Sequence, residues 1–298
     1  MANAGITSVT FLISLYRGFC KSLSMSSFRP FSMLAAIGFA ITLSTGSLGQ
    51  VAPTLQSSFT PASGGGIHDL AIASTTPRLS PDLALATYER GMKAQSEELT
   101  GYSSVNVIEA ELPASAQRAE FELKRHYVAP SVLEFTPVRS SGDKFVKSNV
   151  IVRLLQSEVD HVHKREQSQT AIDSSNYKFN YKGTSQLNGN AAHVYEVKPR
   201  ENRVGLFKGK IYVDAATGHL LRAQGRIAKS PSFFIKKINF VQDYGTISGF
   251  TFPTHLHSEA ETRLVGKAIV DITHRDYQLE FPGGSDVAES VTLIDGTN

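Results

Sequence analysis

The chain has 298 residues, with 30 Lys and Arg against 27 Asp and Glu, a formal charge of +3. Arg17, Lys21 and Arg29 are the only charged residues before position 50, so the remainder carries 27 basic and 27 acidic side chains. A neutral body lacks the basic field that draws a protein to nucleic acid or an anionic membrane surface, and a single cysteine, Cys20, excludes a disulfide framework.

The first segment, residues 1–49, has the layout of an export signal. Basic residues precede a 13-residue apolar run, Phe31 to Leu43, which ends in the small residues Ser44 to Gly49. A helix spanning a bilayer needs roughly 20 apolar residues, so this run is expected to be cleaved, near Gly49/Gln50. Met25, followed by Ser-Ser-Phe-Arg-Pro, offers a second start for the same signal. The expected location is periplasmic or secreted. Residues 50–79 are rich in Ser, Thr, Pro, Ala and Gly and read as a flexible leader that buries too little apolar surface to offset ordering.

The folded body is expected over 80–282. Ser80-Pro81-Asp82 reads as a helix start, with Ser as cap, Pro in the first turn and Asp facing the positive dipole end. Leu85, Tyr88 and Met92 share one face, and Gly101 ends the helix. The pattern then turns to period two: Phe121, Leu123 and Tyr127 alternate with charged residues, one face buried and one wet. A second helix is expected at about 148–164, capped by Ser148, with Ile151, Leu154, Leu155, Val159 and Val162 on one stripe.

A meander follows: 177–184, the Asn188-Gly189 turn, 192–199, 208–214, the Thr217-Gly218 turn, 219–228, 233–244, 250–264 and 267–279. Gly245-Thr246 and Val265-Gly266 separate the last three. The expectation is eight strands and two helices in one domain, with a polar tail over 283–298. No repeat period and no βαβ alternation appear.

The hairpin segments Tyr195-Glu-Val-Lys-Pro199, Gly209-Lys-Ile-Tyr-Val-Asp214, Thr217-Gly218, Leu221-Arg222, Ile238-Asn-Phe240 and Tyr244 complete an order of elements over about 80–280. That order resembles the unclosed half-barrel superfamily of the lipoprotein carrier LolA, the receptor LolB and the regulator RseB, and more closely proteins described as outer-membrane lipoprotein-sorting. The resemblance implies an α+β, mainly β fold, a strongly curved antiparallel sheet wrapping around about two helices. It implies a non-catalytic carrier or sensor without a cofactor, holding a lipid or lipoprotein acyl chain in an apolar cavity, with an envelope membrane protein as a further partner and a monomeric state. The ligand-facing residues so implied are Phe121, Leu123, Arg125, Tyr127, Ile211, Val213, Ile238, Phe240, Val270 and Ile272. Arg125, ahead of Pro130, is the nearest match to the carrier's inward arginine, although the carrier's Arg and Pro are adjacent. The apolar members equally describe a packed core.

A competing reading lies at Gly249-x5-His255-x-His257-x3-Glu261, which resembles the first metal motif of cupins. Two imidazoles two residues apart on a strand share a face, and Glu261 is in phase with them. The matching second motif is missing, and the same alternation describes the wet face of an ordinary strand. His161 and His163 diverge on a helix and read as solvated surface. His274 and Asp276 share a strand face that Asp271 does not, a weak acid–base arrangement. No nucleophile elbow, phosphate-binding loop or His-Glu-x-x-His motif occurs.

Overall fold

The computed structural model describes residues 78–283 except 232, 234 and 264. The segment expected to be an export signal, nearly all of the expected leader and nearly all of the expected polar tail lie outside the described residues. One long helix opens the body, α1 (Pro81–Glu98), with the Ser80 side chain accepting from the Leu83 N–H at 3.3 Å. Just ahead of the helix, the Leu79 N–H donates to the Ala215 carbonyl at 2.7 Å.

Ten strands follow: β1 (Gly101–Leu112), β2 (Gln117–Val128), β3 (Val132–Gly142), β4 (Tyr177–Leu187), β5 (Asn190–Pro199), β6 (Phe207–Asp214), β7 (Leu220–Ile227), β8 (Ile235–Ile247), β9 (Phe250–Thr262) and β10 (Lys267–Glu280). They form one antiparallel sheet in the order β3-β2-β1-β10-β9-β8-β7-β6-β5-β4. The pairing of β1 with β10 joins a three-stranded and a seven-stranded meander, while β3 and β4 remain as edges. The sheet is therefore not closed, as the half-barrel expectation required.

Between β3 and β4 the chain is helical over 144–163, as α2 (Lys144–Val146), a π-helical turn (Lys147–Ile151) and α3 (Val152–His163). This corrects the expected start, since Asp143, not Ser148, is the cap: its Oδ1 accepts from the Val146 N–H at 3.0 Å. The expected count of eight strands is also corrected. β1 and β3 were not read, and the β8–β9 turn is Ser248-Gly249, with φ of 50° and 82°, whereas Gly245-Thr246 continues β8. The Asn188-Gly189 turn forms as expected, with positive φ at both residues, as a two-residue hairpin of this kind demands.

Period-two alternation places one face of the sheet against the helices. The main cluster joins Ala84, Tyr88 and Met92 of α1 and Leu154 of α3 to Ile108, Leu123, Ile211, Phe240, Leu256 and Ile272 of the sheet. A smaller cluster at one end holds Leu99, Tyr102, Tyr127, Leu133, Val162 and Phe252. No described helix is long and apolar enough to cross a membrane.

Candidate functional site

All ten residues expected to face a ligand project from the inner face of the sheet. Leu123, Ile211, Val213, Ile238, Phe240, Val270 and Ile272 belong to the main apolar cluster, with Phe121 packed against it. Arg125 and Tyr127 lie at its other end, with residual exposures of 8% and 3%. The helices fill the concavity in front of them. Neither of the two cavities described below is lined by any of the ten.

The two helices are seated differently. Under α1 the contacts are Ala84, Tyr88 and Met92, each buried and apolar in its packing. Under α3 they are mixed: Leu154 and Val162 are buried and apolar, and Glu158, between them on the helix, is buried and ion-paired. Arg125 Nη2 donates to Glu158 Oε1 of α3 at 2.7 Å, with both side chains about nine-tenths buried. Arg125 also donates to the Tyr102 hydroxyl and lies over the Tyr102 ring at 5.0 Å from its centroid. Tyr102 in turn meets Tyr127, Phe252 and Tyr277 at ring-centroid distances of 5.4, 5.1 and 5.9 Å.

Register explains how these groups converge. Tyr102 is opposite Tyr127, Ser104 opposite Arg125, and Asn106 opposite both Leu123 and His274. The pairing of β1 and β10 slips between Ser103 and Val105, and Asp276 takes a φ of 55°. This bulge turns Tyr277 toward the aromatic group and leaves the Asp276 side chain 66% exposed. Asp276 therefore does not share a face with His274, contrary to the strand-phase expectation.

Several atoms at this seat have no hydrogen-bond partner: Glu158 Oε2, Asn106 Nδ2, the Tyr127 hydroxyl and both ring nitrogens of His274. The Ser104 hydroxyl donates to Asn106 Oδ1 at 3.1 Å. Burial pushes the Glu158 carboxyl above the usual carboxylate range, and Arg125 opposes that shift. Burial would lower the Arg125 guanidinium, but Tyr102 and Glu158 more than reverse it, so it stays charged. His274 is held down at about 3 by burial, then by Arg125 and His255, and is neutral at physiological pH. The Tyr127 hydroxyl is pushed up to about 12, chiefly by burial.

The sequence expectation names Arg125 and Tyr127 but not Glu158, Tyr102, Tyr277, Asn106 and His274, which the fold brings near them. His161, read as solvated surface, is buried, its Nδ1 3.2 Å from Glu166 Oε2.

On the outer face, His255, His257 and Glu261 occupy alternate positions of β9 as expected. The imidazoles turn to Asp271 of β10 rather than to Glu261: His257 Nδ1 lies 2.8 Å and His255 Nε2 3.6 Å from Asp271 Oδ1. Among the described residues no three His, Cys, Asp or Glu side chains are grouped to hold a metal ion. A cavity of about 230 Å³ lies nearby, with Glu109, Glu111, Arg118, Glu120 and Asp271 in its wall. Another, of about 190 Å³, lies between α1 and the β6–β7 and β8–β9 turns.

No protein-family model matches the chain, and no curated protein sequence does. Solved structures do. A putative outer membrane lipoprotein-sorting protein domain from Vibrio parahaemolyticus matches at 12% identity and a TM-score of 0.36, over 68% of this chain and 94% of its own. A DUF1329 family protein from Desulfovibrio piger matches at 12% identity and 0.34, over 67% and 94%. A LolA superfamily protein from Nitrosomonas europaea matches at 12% and 0.31, over 64% and 93%.

Proposed function

We propose that the chain is an exported, non-catalytic binding protein that takes a lipid, or the acyl chain of a lipoprotein, onto the apolar inner face of its sheet when α3 moves aside. The observation that carries this reading is the contrast between that face and its cover. The face is largely apolar, of the kind that binds acyl chains. The cover is held by Leu154 and Val162 and, between them, by a buried ion pair with polar atoms without partners nearby.

A buried ion pair is a poor adhesive, because desolvating two charges offsets most of their attraction. Unsatisfied polar atoms weaken the seat further, each by roughly 1–3 kcal/mol. A wholly apolar α3 seat would close the face more firmly, so an ion pair set among its apolar contacts favours a cover that opens. The π-helical turn over Lys147–Ile151 sits at the N-terminal root of α3, where the helix changes its winding and can pivot. Withdrawal of α3 returns Arg125 and Glu158 to water and exposes Leu123, Ile108 and Ile272 to an incoming chain.

The test is uptake of a fluorescent fatty acid by delipidated protein. Saturable binding is expected, weakened in the Arg125→Met/Glu158→Leu double variant, whose apolar seat holds α3 down. No uptake by the parent protein, or equal uptake by the double variant, contradicts the reading.

A further inference from the structure

We propose that the cleft between α1, the β6–β7 turn and the β8–β9 turn is a binding site for a small uncharged polyol, separate from the inner face of the sheet. Its volume of about 190 Å³ falls below the roughly 300–1,000 Å³ of sites for drug-sized ligands. That size suits a molecule no larger than a monosaccharide.

The first observation is Gly91. It lies in the interior of α1 and lines the cleft, and a Cβ added there would meet nothing within 4 Å. Glycine inside a helix is destabilising by roughly 0.5–1 kcal/mol relative to alanine. No crowding requires it at this position, and its effect is to leave that stretch of α1 bare toward the cleft.

The second observation is that the walls are fixed. Gln95 of α1 donates through Nε2 to the Thr251 carbonyl and accepts from the Thr251 N–H, both at 3.1 Å. Across the cleft, Gly218 has a φ of +77°, and a Cβ there would lie 2.8 Å from Thr87, so the β6–β7 turn is drawn tightly onto the helix. A site held in this way needs little reorganisation to bind.

The third is the chemistry of the lining. Its residues carry no formal charge. His219 Nδ1 lies 3.0 Å from Thr251 Oγ1, which leaves Nε2 for a ligand. The Thr87 hydroxyl accepts from Arg90 at 3.0 Å, and the Thr217 hydroxyl accepts from the His219 N–H at 3.3 Å. Each hydroxyl therefore keeps its own proton to donate. Burial lowers the His219 imidazole below its usual range, against the nearby Asp214 carboxylate, so the ring is neutral at pH 7. A neutral ring nitrogen flanked by hydroxyls matches groups that both donate and accept, which are alcohols rather than ions.

The test is NMR of the His219 ring in the full-length chain, titrated with glycerol, myo-inositol and glucose, with acetate and phosphate as controls. A saturable shift with at least one polyol and none with either anion is expected. Gly91→Leu, which fills the cleft, should weaken that binding at least tenfold without lowering the thermal midpoint. Gly91→Ala should weaken it by a smaller factor and raise the midpoint, so a folded variant is available in either case. The proposal is overturned if no polyol moves the His219 signals, if the anions move them equally, or if both Gly91 variants bind like the parent. Because the cleft shares no lining residue with the acyl-chain face, fatty-acid uptake is unaffected by any of these outcomes.

Discussion

Two helices lie against one sheet, and they are attached by different chemistry. α1 is fixed along its length. At its start the Tyr195 hydroxyl donates to the Pro81 carbonyl at 2.5 Å, at its middle the Tyr88 hydroxyl donates to the Ile172 carbonyl at 2.9 Å, and at its end Gln95 bridges to Thr251. Its buried polar groups are paired, and the rest of its contact is apolar. α3 adds to its apolar contacts through Leu154 and Val162 the buried Arg125–Glu158 pair, with inward polar atoms that lack partners around it. On the proposed reading, that difference makes α1 part of the frame and α3 the part that can leave.

The largest expected effect comes from breaking the pair on one side. Arg125→Ala strands a buried carboxylate and should lower stability by about 3–5 kcal/mol, whereas Arg125→Met with Glu158→Leu should be neutral or stabilising by about 1–4 kcal/mol. Chemical denaturation of the three proteins checks this, and a double variant less stable than the single would reverse the ranking of the two seats.

At α1 the comparable truncation, Met92→Ala, should destabilise by about 2–5 kcal/mol through a cavity in an apolar seat, with no second substitution that recovers it. Denaturation of this variant, alone and combined with the double variant, should show additive effects, because the seats are separate.

A smaller effect is expected with pH. The folded value of His274 is depressed to about 3, so as pH falls below about 6.5 the unfolded chain takes up a proton that the folded chain refuses, and stability declines by about 1.4 kcal/mol per pH unit. Glu158 acts in the opposite sense, since its raised value lets the folded carboxyl protonate first and favours the folded state in acid. The His274 decline is therefore clearest just below pH 6.5, and His274→Leu should flatten it there in denaturation curves collected across that range. Smallest of all, His257→Ala on the outer face should change stability by about 1 kcal/mol or less, as its partial exposure screens the contact with Asp271.

What could be read from the sequence follows from where local pattern and tertiary role agree. Ser80-Pro81-Asp82 carries a complete helix start, and Asn188-Gly189 carries a complete turn, so both were found. β1 was not, because its inward positions include Ser104 and Asn106, buried polar residues that interrupt the apolar alternation. β3 was hidden by its edge position, where Pro137 and exposed polar residues are tolerated. The start of the second helix was displaced because the π-helical turn breaks the 3.6 period. Glu158 occupies a core position between Leu154 and Val162, but a carboxylate on a helix reads as surface until its arginine is known. Tyr277 reaches the aromatic group only through the bulge at Asp276, which alternation alone does not reveal. The residues that sequence patterns misread are thus concentrated at the α3 seat, where local rules yield to a special arrangement.

Native-state hydrogen exchange resolved by residue tests most directly whether α3 opens apart from the frame. The amides of Val152–His163 should exchange through an opening several kcal/mol below the global unfolding free energy, while those of Pro81–Glu98 exchange only near it. Equal opening free energies for the two helices would contradict the account.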